Sequence, residues 1–302
     1  MSCTPLASVE ERPSVFRSMS RDVEACARYT APMVSLSDIP PVPNRAYEDK
    51  YVLFLDMLGF QALVDRTRGD EAARRTVHGI VDLFRTTLCP NPTIDLRFTQ
   101  FSDCIVASAA PTREGLWELV RCIDTLMCNM LQHDILCRGG LSRGEIVHDD
   151  AFVYGPAMNA AYRLESRDAD VPIVLLEPRV AEEFVELGPD FLQWMESDGI
   201  WPNGSPRFFV DYLLTYRVYD GVPRAGQVEY RMSADRIRFL MSRRLSVPAT
   251  DVRVRDKEIW FQHYWNRMIQ IRKILGDITD ETFELGAHVR PTIIKRMMLA
   301  SR

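Results

Sequence analysis

What the chain lacks narrows its reading first. Its seven cysteines (Cys3, Cys26, Cys89, Cys104, Cys122, Cys128, Cys137) show no CxxC spacing, which disfavours structural zinc. Most lie inside apolar runs and are expected to be reduced and buried. No apolar run reaches the roughly 18 residues that suggest a membrane span, so no membrane partner is expected. A secretory pattern is missing as well, since Glu10, Glu11 and Arg12 arrive before any apolar stretch develops. The expectation is a cytoplasmic protein. Excess positive charge is also absent: the formal net charge is −5, which gives no general pull towards nucleic acid. An anionic ligand would have to be held by a local site. Lysine is scarce, there are no internal repeats, and the five histidines are scattered without ligand spacing. They are expected to be structural or exposed.

What is present is an ordinary globular composition with ample length for a core, 46% hydrophobic and 26% charged over 302 residues. Residues 1–46 hold six of the 18 prolines and read as a loosely structured arm, with weak helical character over 15–28. Residues 47–225 alternate strand and helix patterns, and residues 226–302 read as a mostly helical C-terminal extension, with helices expected near 234–245, 259–275 and 289–299. Between 50 and 187 the order is β-α-β-β-α-β-(α-β), which predicts an α+β fold with helices packed on a largely antiparallel sheet. A further strand is expected over 208–216. The arginine-rich run 231–257 is interleaved with Asp235, Asp251 and Asp256, and reads as a solvated amphipathic helix. Trp260, Phe261, Tyr264 and Trp265 read as core or dimer contacts.

Three local patterns hold chemistry. Tyr51-Val-Leu-Phe-Leu-Asp-Met-Leu-Gly-Phe60 is a buried strand ending on the carboxylate of Asp56 above a glycine turn. Asp103 stands in the turn of a hairpin formed by 94–100 and 104–108. If the two strands are neighbours, the carboxylates repel unless a divalent cation joins them, and oxygen ligands suit Mg²⁺ or Mn²⁺. Each aspartate taken alone is equally well a turn residue. In Gly155-Pro-Ala-Met-Asn-Ala-Ala-Tyr-Arg-Leu164, Asn159 and Arg163 are four apart on one helix. They could hold a ribose and a charged phosphate; taken alone, a water-facing pair is the simpler reading.

With Arg138-Gly-Gly-Leu-Ser-Arg-Gly144, these stretches resemble, in order, the motifs of class III nucleotide cyclases over residues 50–176. The resemblance implies a ferredoxin-like core in which Asp56, Asp103 and the Met57 carbonyl bind two divalent ions (Mn²⁺ or Mg²⁺). These would lower the pKa of the ribose 3′-hydroxyl and hold the triphosphate. Asn159 would orient the ribose and Arg163 would stabilise the transition state. Phe54, one strand face with Asp56, would wall the pocket, and the Leu58-Gly59-Phe60 turn would offer N–H groups to phosphates. Since the family's two residue pairs face each other across a dimer, a homodimer with shared sites is implied.

The departures concern the base. Purine cyclases carry Lys or Glu four residues before the second metal aspartate and a polar residue seven before the helix asparagine; here these are Thr99 and Phe152. Phe152 offers a stacking wall, and Arg97, on the face of Thr99, offers donors to carbonyl oxygens, which suits uracil. In this respect the chain is similar to the stand-alone bacterial pyrimidine cyclases of Pycsar anti-phage systems. The implied reaction converts UTP to cyclic UMP and pyrophosphate, the product acting on a separate effector. CTP, a purine nucleotide, or a non-catalytic nucleotide-binding module are the alternatives. Ser102 replaces the family's usual glycine, and its triphosphate-binding lysine has no match.

Overall fold

The computed structural model describes residues 45–88, 90–192, 194–215, 234–246 and 251–274. Apart from Arg45, all of these belong to a single compact unit, Ala46–Arg302. The arm, the helices expected over 15–28 and 289–299, the boundary near 225, and Cys3, Cys26 and Cys89 lie outside the described residues.

Strand β1 (Glu48–Met57) is central, paired antiparallel with both β3 (Cys104–Ala109) and β4 (Cys137–His148). Its unbroken apolar run follows from that position, since both faces are covered. The sheet order is β2-β3-β1-β4-β6-β8-β7, with β2 (Arg97–Phe101), β6 (Val174–Leu176), β7 (Met195–Ile200) and β8 (Pro206–Val210). The short β5 (Val153–Tyr154) pairs with β4 alone. Among these pairings only β4–β6 is parallel, so the expected α+β fold with a largely antiparallel sheet is met.

The two faces differ in what covers them. Tyr51, Leu53, Leu55 and Met57 point into the main core, beneath α2 (Glu71–Thr87) and α3 (Arg113–Gln132). Both helices start on side-chain caps: Asp70 accepts from Ala72 and Ala73, and Thr112 accepts from Gly115. Helix α3 inserts Leu116, Leu119, Ile123, Leu126 and Met130 into that core. Each such side chain contributes roughly 1.5–3 kcal/mol of burial. The opposite face holds a smaller cluster, Val52, Phe54, Val106 and Ile146, roofed by Ala157 and Ala161 of α4 (Pro156–Arg163). Helix α4 comes this close because Gly140 beneath it has no side chain: a Cβ there would lie 2.4 Å from the Ala161 carbonyl oxygen. Ser142 adds a hydrogen bond to the Ala157 carbonyl at 2.7 Å.

Several elements depart from expectation. A short helix, α1 (Phe60–Arg66), follows the glycine turn directly. Strand β2 begins only at Arg97, because a 3₁₀ turn over Pro92–Ile94 absorbs the start of the expected run. Helix α4 passes into a π-helical turn, Leu164–Asp168, instead of ending. β7 has no expected counterpart. The strand expected over 208–216 is split: β8 stops at Val210, and Tyr212–Thr215 form one helical turn. The reason is packing by the C-terminal helices α6 (Ala234–Ser246) and α7 (Val252–Ile274). Tyr264 of α7 donates to Asp211 at 2.5 Å and accepts from the Leu213 N–H, which fixes the bend between strand and turn. Trp260, Phe261, Tyr264 and Trp265 are buried, so they are core residues. α5 (Pro178–Leu187) completes the set on the main-core side.

Candidate active site

Strand register puts the candidate residues in rows across the smaller-cluster face. Phe101, Cys104, Asp56 and Arg138 form one row; Thr99, Val106, Phe54 and Gly140 the next; Arg97, Ser108, Val52 and Ser142 the third. The expected alternation in β2 is therefore correct, with Arg97 and Thr99 on the face of Phe54 and Asp56.

Asp103 joins the first row from the hairpin turn, where Ser102 takes a left-handed φ of 54°. A glycine occupies that region without cost, whereas a side chain there is strained by about 1–2 kcal/mol. The turn is tied back to β1 by a hydrogen bond from the Met57 N–H to the Asp103 carbonyl at 3.1 Å. Oxygen atoms of Asp56 and Asp103 and the Cys104 sulfur all lie within 4.8 Å of one another. The Asp56 carboxyl is held above the ordinary range by burial and by the Asp103 charge, with Arg138 acting against both. The Cys104 thiol is pushed up to about 12 by burial and the two carboxylates, to which it donates at 3.6 and 3.8 Å. The two carboxylates are the hard oxygen ligands of this cluster. Two oxygen donors driven together, one of them partly desolvated, fit a hard divalent cation. The Met57 side chain is in the core, so only its backbone faces this site.

Arg138 and Glu165 lie beside Asp56, and the motif reading gave neither of them a role. Arg138 Nε lies 3.7 Å from Asp56 and 2.6 Å from Glu165. Glu165 descends from the π-helical turn after α4, and burial raises its pKa to about 7 against the pull of Arg138. The sequence signal was the arginine in the glycine-punctuated strand; nothing local marks Glu165.

Gly59 has the left-handed φ of 81° that the turn after β1 requires. The Leu58 N–H is already taken by the Leu136 carbonyl at 2.8 Å, which removes it from the expected phosphate donors. Phe60 turns its side chain into the core. Beside Asp56, Phe54 is flanked by Tyr162 and Phe101, with ring centroids 5.3 and 6.3 Å away.

In the next rows, the Thr99 hydroxyl lies 3.0 Å from His148 Nε2, and the Ser108 hydroxyl lies 2.8 Å from His148 Nδ1. His148 is thus a buried polar link under the candidate base position, a role that its scattered place in the sequence did not reveal. Arg97 uses Nε to hold Asp95 at 2.6 Å, and no bond from its terminal nitrogens occurs among the described residues. Asn159 and Arg163 are exposed on the side of α4 away from Ala157 and Ala161. Their side chains make no bond among the described residues and are not brought to Asp56 or Asp103. Phe152 lies past the far end of β4, 52% exposed.

No protein-family model matches the chain, and no curated protein does. Among solved structures the chain is similar to the catalytic core of a rhodopsin-guanylyl cyclase with converted specificity, in complex with ATPαS. There the identity is 14%, over 54% of this chain and 95% of that one, with a TM-score of 0.38. It is also similar to an adenylate/guanylate cyclase/hydrolase from Silicibacter pomeroyi, at 17% identity over 54% and 95%, with a TM-score of 0.37. No helix among the described residues is long and apolar enough to cross a membrane.

Proposed function

We propose that the chain is a metal-dependent nucleotide cyclase that converts UTP to 3′,5′-cyclic UMP and pyrophosphate. The observation that carries this reading is the convergence of Asp56 and Asp103, at the two motif positions, within 4.8 Å at one end of the sheet. In the reaction the ribose 3′-oxygen bonds to the α-phosphorus, the bond from that phosphorus to the α,β-bridging oxygen breaks so that pyrophosphate leaves, and the hydroxyl proton passes to water. Divalent ions at Asp56 and Asp103 would supply acidification of that hydroxyl and neutralisation of the phosphates. Phe101, 42% exposed, offers an apolar wall next to the carboxylates and Gly59 the close backbone approach, whereas Phe54, expected as a pocket wall, is 3% exposed beneath α4 and serves as core.

Two further features support the finer parts of the reading. Arg97 keeps both terminal nitrogens for the carbonyl oxygens of uracil, and Thr99 leaves no charged side chain to select a purine. Asn159 and Arg163 face away from their own Asp56, which favours a homodimer in which each copy completes the site of the other. Phe152 would then act as a stacking wall from the second copy. The cyclic product would serve as a messenger to a separate effector in anti-phage defence.

The test is incubation of the purified protein with each of the four nucleoside triphosphates and Mn²⁺, with products identified by chromatography. Cyclic UMP is expected. Cyclic CMP would move the specificity to the other pyrimidine, and cyclic AMP or GMP alone would contradict the pyrimidine reading. No cyclic product from any substrate would leave only a nucleotide-binding module.

A further inference from the structure

His148 is the last residue of β4, which carries Ile146 into the smaller cluster and brings His148 against Ser108 of β3 and Thr99 of β2. The ring is 5% exposed, and burial, with Lys50 and Arg97 nearby, keeps it neutral. A neutral imidazole has one N–H and one bare nitrogen to divide between its two hydroxyl partners. Which nitrogen holds the proton is decided by the hydroxyl with fewer choices.

That hydroxyl is Ser108. It is wholly buried, and among the described residues it meets no polar partner besides His148 Nδ1, 2.8 Å away. A proton on Nδ1 would leave the Ser108 O–H buried without an acceptor, which costs more than any hydrogen bond it would replace. Ser108 therefore donates to Nδ1. The ring proton sits on Nε2 and is donated to the Thr99 oxygen at 3.0 Å. The consequence falls on Thr99, which is only half-buried and stands on the sheet face of Asp56, one row along. A hydroxyl that accepts from His148 keeps its own proton for a further acceptor. The opposite tautomer would turn that proton inward and leave Thr99 nothing but lone pairs to offer.

We propose that His148 is a positioning residue for base selection: its Nε2–H holds the Thr99 oxygen, so that the Thr99 proton is free for the 4-carbonyl oxygen of uracil, where cytosine carries an amine donor. This rests on the nucleotide reading above, but the tautomer has its own readout. Long-range proton–nitrogen NMR spectra of the full chain, isotope-labelled at histidine, read it directly. The His148 signals are those that vanish in His148→Gln. A bare Nδ1 and a protonated Nε2 are expected.

In turnover, the quantity to compare is the ratio of kcat/KM for UTP to that for CTP. His148→Leu, which removes the donor, should lower this ratio about tenfold while kcat with UTP stays within about threefold. His148→Gln, whose amide restores a donor and an acceptor, should recover most of it. Thr99→Val should lower the ratio as much as His148→Leu, and the double variant no further, because His148 acts through Thr99. Should His148→Leu misfold by circular dichroism, His148→Met replaces it. A protonated Nδ1, a wild-type preference for CTP, an unchanged ratio in His148→Leu, or losses that multiply in the double variant would each overturn the inference. Cyclic UMP made by a protein with a protonated Nδ1 would discard this inference alone. The expected tautomer without any cyclic product would discard the cyclase, and the base-selecting role of His148 with it.

Discussion

His148 shows how a single buried ring can set the behaviour of its surroundings. Its two nitrogens meet the Ser108 and Thr99 hydroxyls, which a neutral imidazole satisfies with one donor and one acceptor. Hydroxyls can rotate to accept from a charged ring, so hydrogen bonding alone does not forbid protonation. Burial does, helped by the nearby Lys50 and Arg97, and outweighs Asp95 and Asp149, giving a pKa of about 4 against an ordinary 6.5. The folded protein therefore binds fewer protons here than the unfolded chain. This contribution to stability is complete above about pH 6.5 and fades as the pH falls towards 4, at most on the order of 3 kcal/mol. Urea unfolding between pH 7 and 4.5 should show wild type losing stability relative to His148→Gln over that window. A constant difference would mean that the ring is solvated. Asp56 is displaced in the opposite sense, above its ordinary value, because burial and Asp103 both oppose its charge.

At the scale of elements, helix α4 depends on the absent side chain of Gly140. Gly140→Ala would set a Cβ 2.4 Å from the Ala161 oxygen and 2.5 Å from Leu164 Cβ, so the helix must lift. We expect a loss of about 1–3 kcal/mol in chemical denaturation. Stability equal to wild type would show that the helix is free to shift. Much of this architecture is legible in the sequence. α3 and β4 are legible because a strong apolar period marks the one and glycine punctuation the other. The alternation in β2 correctly put Arg97 and Thr99 on one face, and the strand register then sets that face beside Phe54. What was not legible depends on distant partners. The apolar run after Phe208 looks uniformly strand-like, and the bend at Asp211 is held by distant partners, among them Tyr264, more than fifty residues on. The π-helical turn that lowers Glu165 towards Arg138 has no local signature either, so that carboxylate was invisible as a site residue. The turn at Ser102 was recognisable, but a serine there gave no hint that it keeps the left-handed geometry of the glycine that it replaces.

For the whole molecule, the main consequence is a separation. One chain holds Asp56, Asp103, Phe54 and the Gly59 turn together, while Asn159 and Arg163 are presented outward on α4. Under the proposed function neither set is sufficient alone, and a second copy unites them. Mixing variants tests this most directly. Asp56→Ala and Arg163→Ala should each be inactive as purified homodimers. When the two are unfolded together and refolded, half of the dimers are mixed, and each of these has one intact site of two. Cyclase activity should return to about a quarter of the wild-type level. Refolded mixtures that form dimers yet stay as inactive as the separate variants would contradict the shared site.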